Sequence, residues 1–322
     1  MRKTITIKDL RAGGTVDDLF AVRFKKPVAP YTKGLTFQLW VSDSSGDLAL
    51  KYWGDKDEKR IKAIWDAIDK GAVVHVKGRV SEFKDALEIH VNPTSGDEIS
   101  VLKEGEYELT DFVAVSAHDI EAMRSQLFAI IRKVDDKWLK QLLASFFADE
   151  AFVKQFCACP AAITHHANCI GGLLEHTLMV VRLCEFYSQQ YPDLDRELLI
   201  TGAVLHDIGK LREYEVTSII GSTDDGRLIG HLVIGAQMVN DACRLIEGFP
   251  AELSTKVQHL VLSSHGTLEY GSPKVPLFPE ALALSLADLT DARLEDMITV
   301  KKGARTEDDW VQDKSVGSVY LK

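Results

Sequence analysis

Two hydrophobic periods divide this chain, and each admits one kind of backbone. Up to about residue 92, apolar and polar residues alternate or gather in β-branched and aromatic runs, the period-2 pattern of strands. From Ser116 onward, apolar residues recur at intervals of three and four, which only a helix can turn to one side. GLTFQLWVSD (34–43), DLALKYW (47–53), AVVHVKGRVSEF (72–83) and ALEIHVN (86–92) read as strands, and a further strand is expected around Asp18–Phe24. SSG at 44–46 and KDA at 84–86 read as turns. Between DLALKYW and AVVHVKGRVSEF, the segment DEKRIKAIWDAIDKG sets Ile61, Ile64, Trp65 and Ile68 on one helical face and ends at Gly71.

Short strands with a single helix after the third predict a small closed barrel of the OB type. NPTSGDE (92–98) reads as the break after it. SAHDIEAMRSQLFAIIRKV then carries Ile120, Met123, Leu127, Ile130 and Ile131 at helical spacing, and further helices are expected at about 136–148, 149–157, 172–190, 196–209, 231–246, 251–265 and 279–297. The fold class expected is therefore α+β and multidomain: an N-terminal barrel over 1–100 and an all-helical domain over 101–322. The last segment, KKGARTEDDWVQDKSVGSVYLK, reads as an irregular tail.

The chain has 322 residues, with 46% hydrophobic and 27% charged, which excludes a disordered chain. No apolar run reaches the ~20 residues of a membrane span, and MRKTITIKDL has no apolar signal core. Five Cys, an odd number partly within helical segments, do not make a disulfide framework and point to a reducing cytoplasm. Cys157 and Cys159 stand closer than zinc ligands usually do and read as small buried hydrophobes. The net charge of −10 is uneven: residues 1–100 hold 17 Lys and Arg against 15 Asp and Glu, and the remainder 21 against 33. A polyanion is better received by the first part, and a cation by the second.

Ligand-type side chains gather in the helical part. GAVLHDIGK (202–210) ends an apolar helix, whose Gly202 allows a close helix contact, with His206 and Asp207 in the last turn and Gly209 as its stop. Adjacent helical residues point ~100° apart, so one of the pair belongs to the core and one to solvent unless an ion above the helix is reached by both. His176 lies beside the core face of GGLLEHTLMVVRLCEFY, His231 opens a helix, His265 closes another, and Asp288 stands among apolar residues in ALALSLADLTDARL. A single buried His is ordinarily a satisfied core residue. Buried Asp207 and Asp288, in contrast, each need a cation. Mixed N and O ligands suit Mn²⁺ first, with Fe²⁺, Zn²⁺, Ni²⁺, Co²⁺ and Mg²⁺ as alternatives.

The set H…HD…D, as His176, His206–Asp207 and Asp288 in helices, resembles the HD phosphohydrolase superfamily. HHANCIGGLLEHTLMVV, LLITGAVLHDIGKLREYE, GRLIGHLVIGAQMV, HLVLSSHGTLEYGSPKVP and EALALSLADLTDA resemble, in order and spacing, the HD domain of the YhaM-like 3′–5′ exoribonucleases, whose OB barrel also precedes it. The resemblance implies a metal-dependent phosphodiesterase with His176, His206, Asp207 and Asp288 as metal ligands, in which ion-activated water attacks phosphorus. It implies catalytic work for His206, Asp207 and Lys210. Lys210 would touch phosphate, or else complement its helix dipole. His231, His265 and His166 would line the cleft at a phosphate or second metal, and His165 would be structural. Similar proteins read SHHG where this chain reads SSHG; Ser264 therefore puts the second ion in doubt, although its hydroxyl is able to bind phosphate or water.

An OB barrel stacks bases on aromatics over a basic groove. Candidates are Phe37, Trp40, Trp53 and Phe83 for bases, and Lys51, Lys77 and Arg79 for the backbone; VHVKGRV resembles the fourth strand of nucleic-acid-binding OB folds. Alternation sets Phe37 and Trp40 on opposite faces, so some of the aromatics must be core. The implied function is a cytoplasmic, divalent-metal-dependent 3′–5′ exonuclease on single-stranded RNA, DNA being a second substrate, which releases nucleoside 5′-monophosphates. One alternative is an HD hydrolase of small or cyclic nucleotides with a regulatory OB domain. Another is a single-strand-binding protein whose catalysis is weak or lost. No membrane partner is expected, and self-association into a homo-oligomer is left open.

Overall fold

The structure, a computed structural model, describes every residue except 85, 164–167, 305 and 307. The chain divides into two compact units, Met1–Ala114 with Val216–Ile220, and Val115–Glu215 with Gly221–Lys322.

The first unit holds β1 (Thr15–Lys25), β2 (Ala29–Tyr31), β3 (Gly34–Asp43), β4 (Gly46–Trp53), α1 (Glu58–Ala67), β5 (Val73–Phe83), β6 (Ala86–Val91) and β7 (Glu98–Val101). Strand order is β1-β3-β4-β6-β5, and β5 pairs back onto β1, so the sheet closes. Only β4–β6 is parallel among these pairs; β2 borders β3 and β7 borders β5. Closure by five main strands, with α1 between β4 and β5, is the OB barrel. Its interior is written in the alternation: Phe37, Leu39 and Val41 of β3 are buried while Gln38 and Trp40 lie on the other face. Ile61 of α1 is fully buried in the same core, and Asp57 caps the helix by accepting from Arg60 N.

That inward register corrects one expectation. Phe37 is 2% exposed, its ring stacked 4.6 Å from that of Tyr52 inside the barrel, so it offers no face to a base.

The second unit is helical: α2 (Ile120–Ile131), α3 (Lys137–Phe147), α4 (Glu150–Ala158), α5 (Gly172–Gln190), α6 (Arg196–Leu205), α7 (Lys210–Glu213), α8 (Asp224–Leu228), α9 (His231–Leu245), α10 (Ala251–Leu262) and α11 (Pro279–Gly303). A short hairpin, β8 (Tyr214–Val216) with β9 (Ile220–Ser222), interrupts them, and β10 (Trp310–Asp313) with β11 (Gly317–Tyr320) follows. Leu173, Val180, Val181 and Cys184 of α5 share one core with Leu199, Ala203 and Leu205 of α6 and with Leu284 and Ala287 of α11. Gly202 does permit a close contact: a Cβ there would stand 2.6 Å from Leu260 Cδ1 on α10. All five Cys are free. Among the described residues no helix is long and apolar enough to cross a membrane.

The C-terminal segment is not irregular, as expected, but a hairpin. Asp313 accepts from Ser315 N and Oγ, Gly317 takes φ +80°, and Val319 is buried.

Candidate metal centre

The HD pair is placed by the end of a helix. α6 stops at Leu205, and His206 is its C-cap, with its Nδ1 2.8 Å from Ala203 O, one of the carbonyls a helix end leaves open. Residues 206–209 turn before α7 begins at Lys210. The pair is therefore not in the last turn of a helix continuing to 209, as the sequence suggested. His206 keeps helical dihedrals (φ −57°, ψ −35°), so the two side chains still diverge, yet both are buried, His206 at 0% and Asp207 at 2% exposure, because His176 and His231 close on the turn from other helices. Gly209 (φ −62°) is required for space rather than for its dihedral: a Cβ would come 2.0 Å from His231 O and 2.7 Å from Gly235 N. The turn is thus locked against the start of α9.

Four ligand atoms converge beneath this turn. His176 Nε2 lies 3.2 Å from His206 Nε2, 3.4 Å from Asp207 Oδ2 and 3.2 Å from Asp288 Oδ1. His206 Nε2 lies 3.3 Å from Asp207 Oδ2 and 4.0 Å from Asp288 Oδ1. Each imidazole has an acceptor at Nδ1, Asp291 Oδ2 at 2.6 Å for His176 and Ala203 O for His206. The Nδ1 proton is thereby fixed and Nε2 is directed at the centre, the arrangement of a metal-ligating His with its outer partner. Lone pairs facing lone pairs require a positive charge. Burial disfavours an imidazolium, yet Asp288 and Asp291 outweigh it and push His176 up to about 10. Burial alone would likewise raise the Asp207 carboxyl, but Lys210 and His206 hold it well below the usual carboxylate range. Asp288 is also lowered, against its burial, by His176.

A second trio adjoins the first. Asp207 Oδ1 is buried without a hydrogen bond among the described residues, and His231 Nε2 lies 3.5 Å from it. His231 Nε2 and His265 Nε2 are 3.3 Å apart. Their Nδ1 atoms face Glu213 Oε2 at 2.7 Å and Tyr270 O at 3.0 Å, so here too Nε2 points inward. His176, His206 and Asp207, and separately Asp207, His231 and His265, form groups able to hold a metal ion. Asp207 belongs to both, one oxygen to each. A divalent ion fits: the donors are imidazole N and carboxylate O, and an orphaned buried oxygen awaits a partner.

Lys210 is buried, with Nζ 2.6 Å from Asp207 Oδ2; burial lowers its pKa, but Asp207 outweighs this and raises it. It lines a cleft of about 330 Å³ together with His176, His231, His265 and Asp288. Ser264 does not join them. It is fully buried and its hydroxyl donates to Val261 O at 3.1 Å, at the end of α10. His166 and His165 lie outside the described residues.

Asp291 and Glu213 were not singled out from sequence, nor were Tyr270 and Arg293 of the same cleft. Asp291 had a legible signal, since it stands three residues after Asp288 on one helical face. Glu213 is brought to His231 only by the fold.

On the barrel, Trp40 stacks with Phe24 and donates to Asp47, while Trp53 meets Tyr31 and His90 edge-on. Phe83 is exposed, and Lys51 Nζ lies over its ring at 4.8 Å. Lys51 is also paired with Glu88 at 2.7 Å; Lys77 and Arg79 are exposed on β5. Trp40, Lys51, Trp53, Lys77, Arg79 and Phe83 thus share the outer surface of the barrel, without Phe37.

Residues 173–293 match the HD domain family. The 3′–5′ exoribonuclease YhaM of Halalkalibacterium halodurans is 28% identical over 263 residues, 80% of this chain and 77% of that protein. The 3′–5′ exoribonuclease YhaM of Shouchella clausii is 28% identical over 295 residues, 90% of this chain and 88% of that protein. The crystal structure of the L. monocytogenes phosphodiesterase PgpH HD domain is 17% identical with a TM-score of 0.29, covering 52% of this chain and 80% of that one. The chain thus carries an HD domain over residues 173–293 behind an N-terminal OB barrel, and along most of its length it resembles the YhaM 3′–5′ exoribonucleases.

Proposed function

We propose that the protein is a divalent-metal-dependent 3′–5′ exonuclease that acts in the cytoplasm on single-stranded RNA, with DNA as a second substrate, and releases nucleoside 5′-monophosphates. One observation carries the reading: imidazoles and carboxylates with fixed Nδ1 protons converge at the foot of a cleft, in a chain similar to 3′–5′ exoribonucleases over 80–90% of its length. His176, His206, Asp207 and Asp288 would hold one ion, and Asp207, His231 and His265 a second, with Mn²⁺ as the working metal. When bound, such ions supply Lewis-acid chemistry, offsetting charge on phosphoryl oxygens and acidifying water.

The chain's own residues do the rest. Asp291 holds the proton on Nδ1 of His176, and the Glu213 carboxylate lies 2.7 Å from Nδ1 of His231, so that both Nε2 atoms are turned to the centre. Lys210 keeps Asp207 ionised and places a cation at the cleft wall, where it would meet a phosphate oxygen. The outer surface of the barrel, with Trp53, Phe83, Lys77 and Arg79, would hold the strand.

The test is a time course with a 5′-labelled single-stranded RNA of about twenty nucleotides (a length that spans one OB-fold site), using metal-stripped protein given Mn²⁺, Mg²⁺, Zn²⁺ or EDTA. The expected result is a metal-dependent ladder shortening from the 3′ end. His206→Ala and Asp207→Ala should abolish it while the protein still binds the strand. Intact RNA in every lane, with turnover of mononucleotides instead, would overturn the exonuclease in favour of a small-nucleotide hydrolase.

A further inference from the structure

Two side chains in the metal cleft have no role in the centre itself. Tyr270 ends a short turn, Leu268–Tyr270, whose backbone is held by hydrogen bonds from Tyr270 N to Thr267 O (3.2 Å) and from Gly271 N to Leu268 O (3.1 Å). Its carbonyl accepts from His265, yet its ring is 48% exposed and lines the cleft. Arg293 stands five residues beyond Asp288 on α11, about 7.5 Å along the helix axis. Its Nη2 donates to Tyr270 Oη at 3.2 Å, its Nη1 reaches Ser315 O at 3.5 Å, and its guanidinium lies 5.6 Å from the centre of the Tyr270 ring. Among the described residues these partners are neutral, so the guanidinium keeps its charge and several of its five N–H donors.

A fixed, half-exposed aromatic ring beside a braced guanidinium, one short step from a phosphodiesterase centre, has the chemistry of a nucleotide grip. The ring offers a face to any base, and the fork of N–H groups matches a phosphate. Resting on the exonuclease reading above, we propose that Tyr270 and Arg293 bind the nucleotide unit adjoining the scissile linkage, the ring stacking on its base and the guanidinium holding the neighbouring phosphate. The cleft would then prefer a substrate with a second phosphate over one with a single linkage.

The experiment compares kcat/KM for a dinucleotide, which has one linkage, and a trinucleotide, which has two, in Mn²⁺. Wild type should favour the trinucleotide by about tenfold or more, mostly through KM. In Arg293→Ala that preference should fall to about one, with Arg293→Lys restoring part of it. Tyr270→Ala should lose more than Tyr270→Phe, which keeps the ring and gives up only the hydroxyl that braces Arg293. Structural damage from Arg293→Ala would lower both substrates alike and leave the ratio intact, so an unchanged ratio in that variant overturns the phosphate half of the grip. The stacked base is present in both substrates, so Tyr270→Ala should raise KM for each, and an unchanged KM for both overturns the stacking half. If wild type cleaves neither oligonucleotide in any metal, the exonuclease reading fails. The grip is then judged separately by equilibrium binding of the trinucleotide: equal affinity in wild type and Arg293→Ala would sink it.

Discussion

Asp291 and Ser264 show how differently a residue reads in sequence and in place. Asp291, in DLTDARLEDM, looks like one of several charges on a solvated helical face; in the structure it is buried and 2.6 Å from His176 Nδ1. Outer carboxylates of this kind are worth about 10–100-fold in metal affinity or activity. Asp291→Asn keeps an acceptor for Nδ1 but loses the charge, so Mn²⁺ affinity measured by calorimetry should fall near the lower figure; Asp291→Ala should fall near the upper one. Affinity unchanged in both variants would show that His176 needs no orienting partner. Ser264 is the opposite case. Its place in SSHG reads as a gap in the site, but among the described residues its hydroxyl is paired with the Val261 carbonyl. Ser264→Ala should therefore leave the rate of strand shortening within about twofold, since losing one weak helix-end bond costs little. The chemical types of His176, His206, Asp207 and Asp288 were legible from the chain, because ligand-type residues inside apolar runs are conspicuous. Of their outer partners, Asp291 was marked only by its spacing from Asp288, because a carboxylate's burial is decided by helices distant in sequence.

At the level of elements, periodicity gave the barrel strands and the long helices, whose buried faces span several repeats. It did not give β8–β9 or β10–β11, whose strands of three and four residues are too short to show alternation. Nor did it show that α6 stops before the HD pair, because a helical pattern continues through IGKL while a backbone turn intervenes. Gly209 is the element-scale cause. Gly209→Ala would press a methyl against His231 O and Gly235 N, so either the turn or α9 must shift. Overpacking costs about 1–3 kcal/mol. The helical unit should melt earlier, and activity should fall further than stability because the shift parts His231 from Asp207. A variant with native melting and native rate would remove Gly209 from the argument.

On the barrel, Glu88 of β6 ties down Lys51 at 2.7 Å and His90 at 3.3 Å. Burial pushes the Glu88 carboxyl up, but Lys51 and His90 outweigh it and hold it below its ordinary value. A carboxyl lowered on folding stabilises the native state above its unfolded value, and that contribution is lost as pH falls through the folded one. Acid titration of the barrel should therefore show a loss of stability below about pH 4 that Glu88→Gln lacks.

For the whole molecule, charge is apportioned between the two jobs. The first hundred residues carry 17 cationic against 15 anionic side chains, whereas the remainder carries 21 against 33. On the proposed reading a strand would be repelled by most of the helical part and drawn to the cleft that Lys210 and Arg293 line. Holding the strand would then fall to the barrel surface, where Lys77 and Arg79 are exposed and Lys51 is shared with Glu88. Three such contacts to a single strand predict a slope of log affinity against log salt of about −2, hence a loss of roughly twentyfold between about 50 and 200 mM salt. Anisotropy of a labelled single-stranded RNA on Asp207→Ala protein would measure it without turnover. Lys77→Ala and Arg79→Ala should each flatten the slope by about 0.7, and Glu88→Gln, by releasing Lys51, should tighten binding at low salt. If the double variant at Lys77 and Arg79 keeps the wild-type slope, the strand does not cross this surface, and the cations that hold it must be sought among residues of the helical unit.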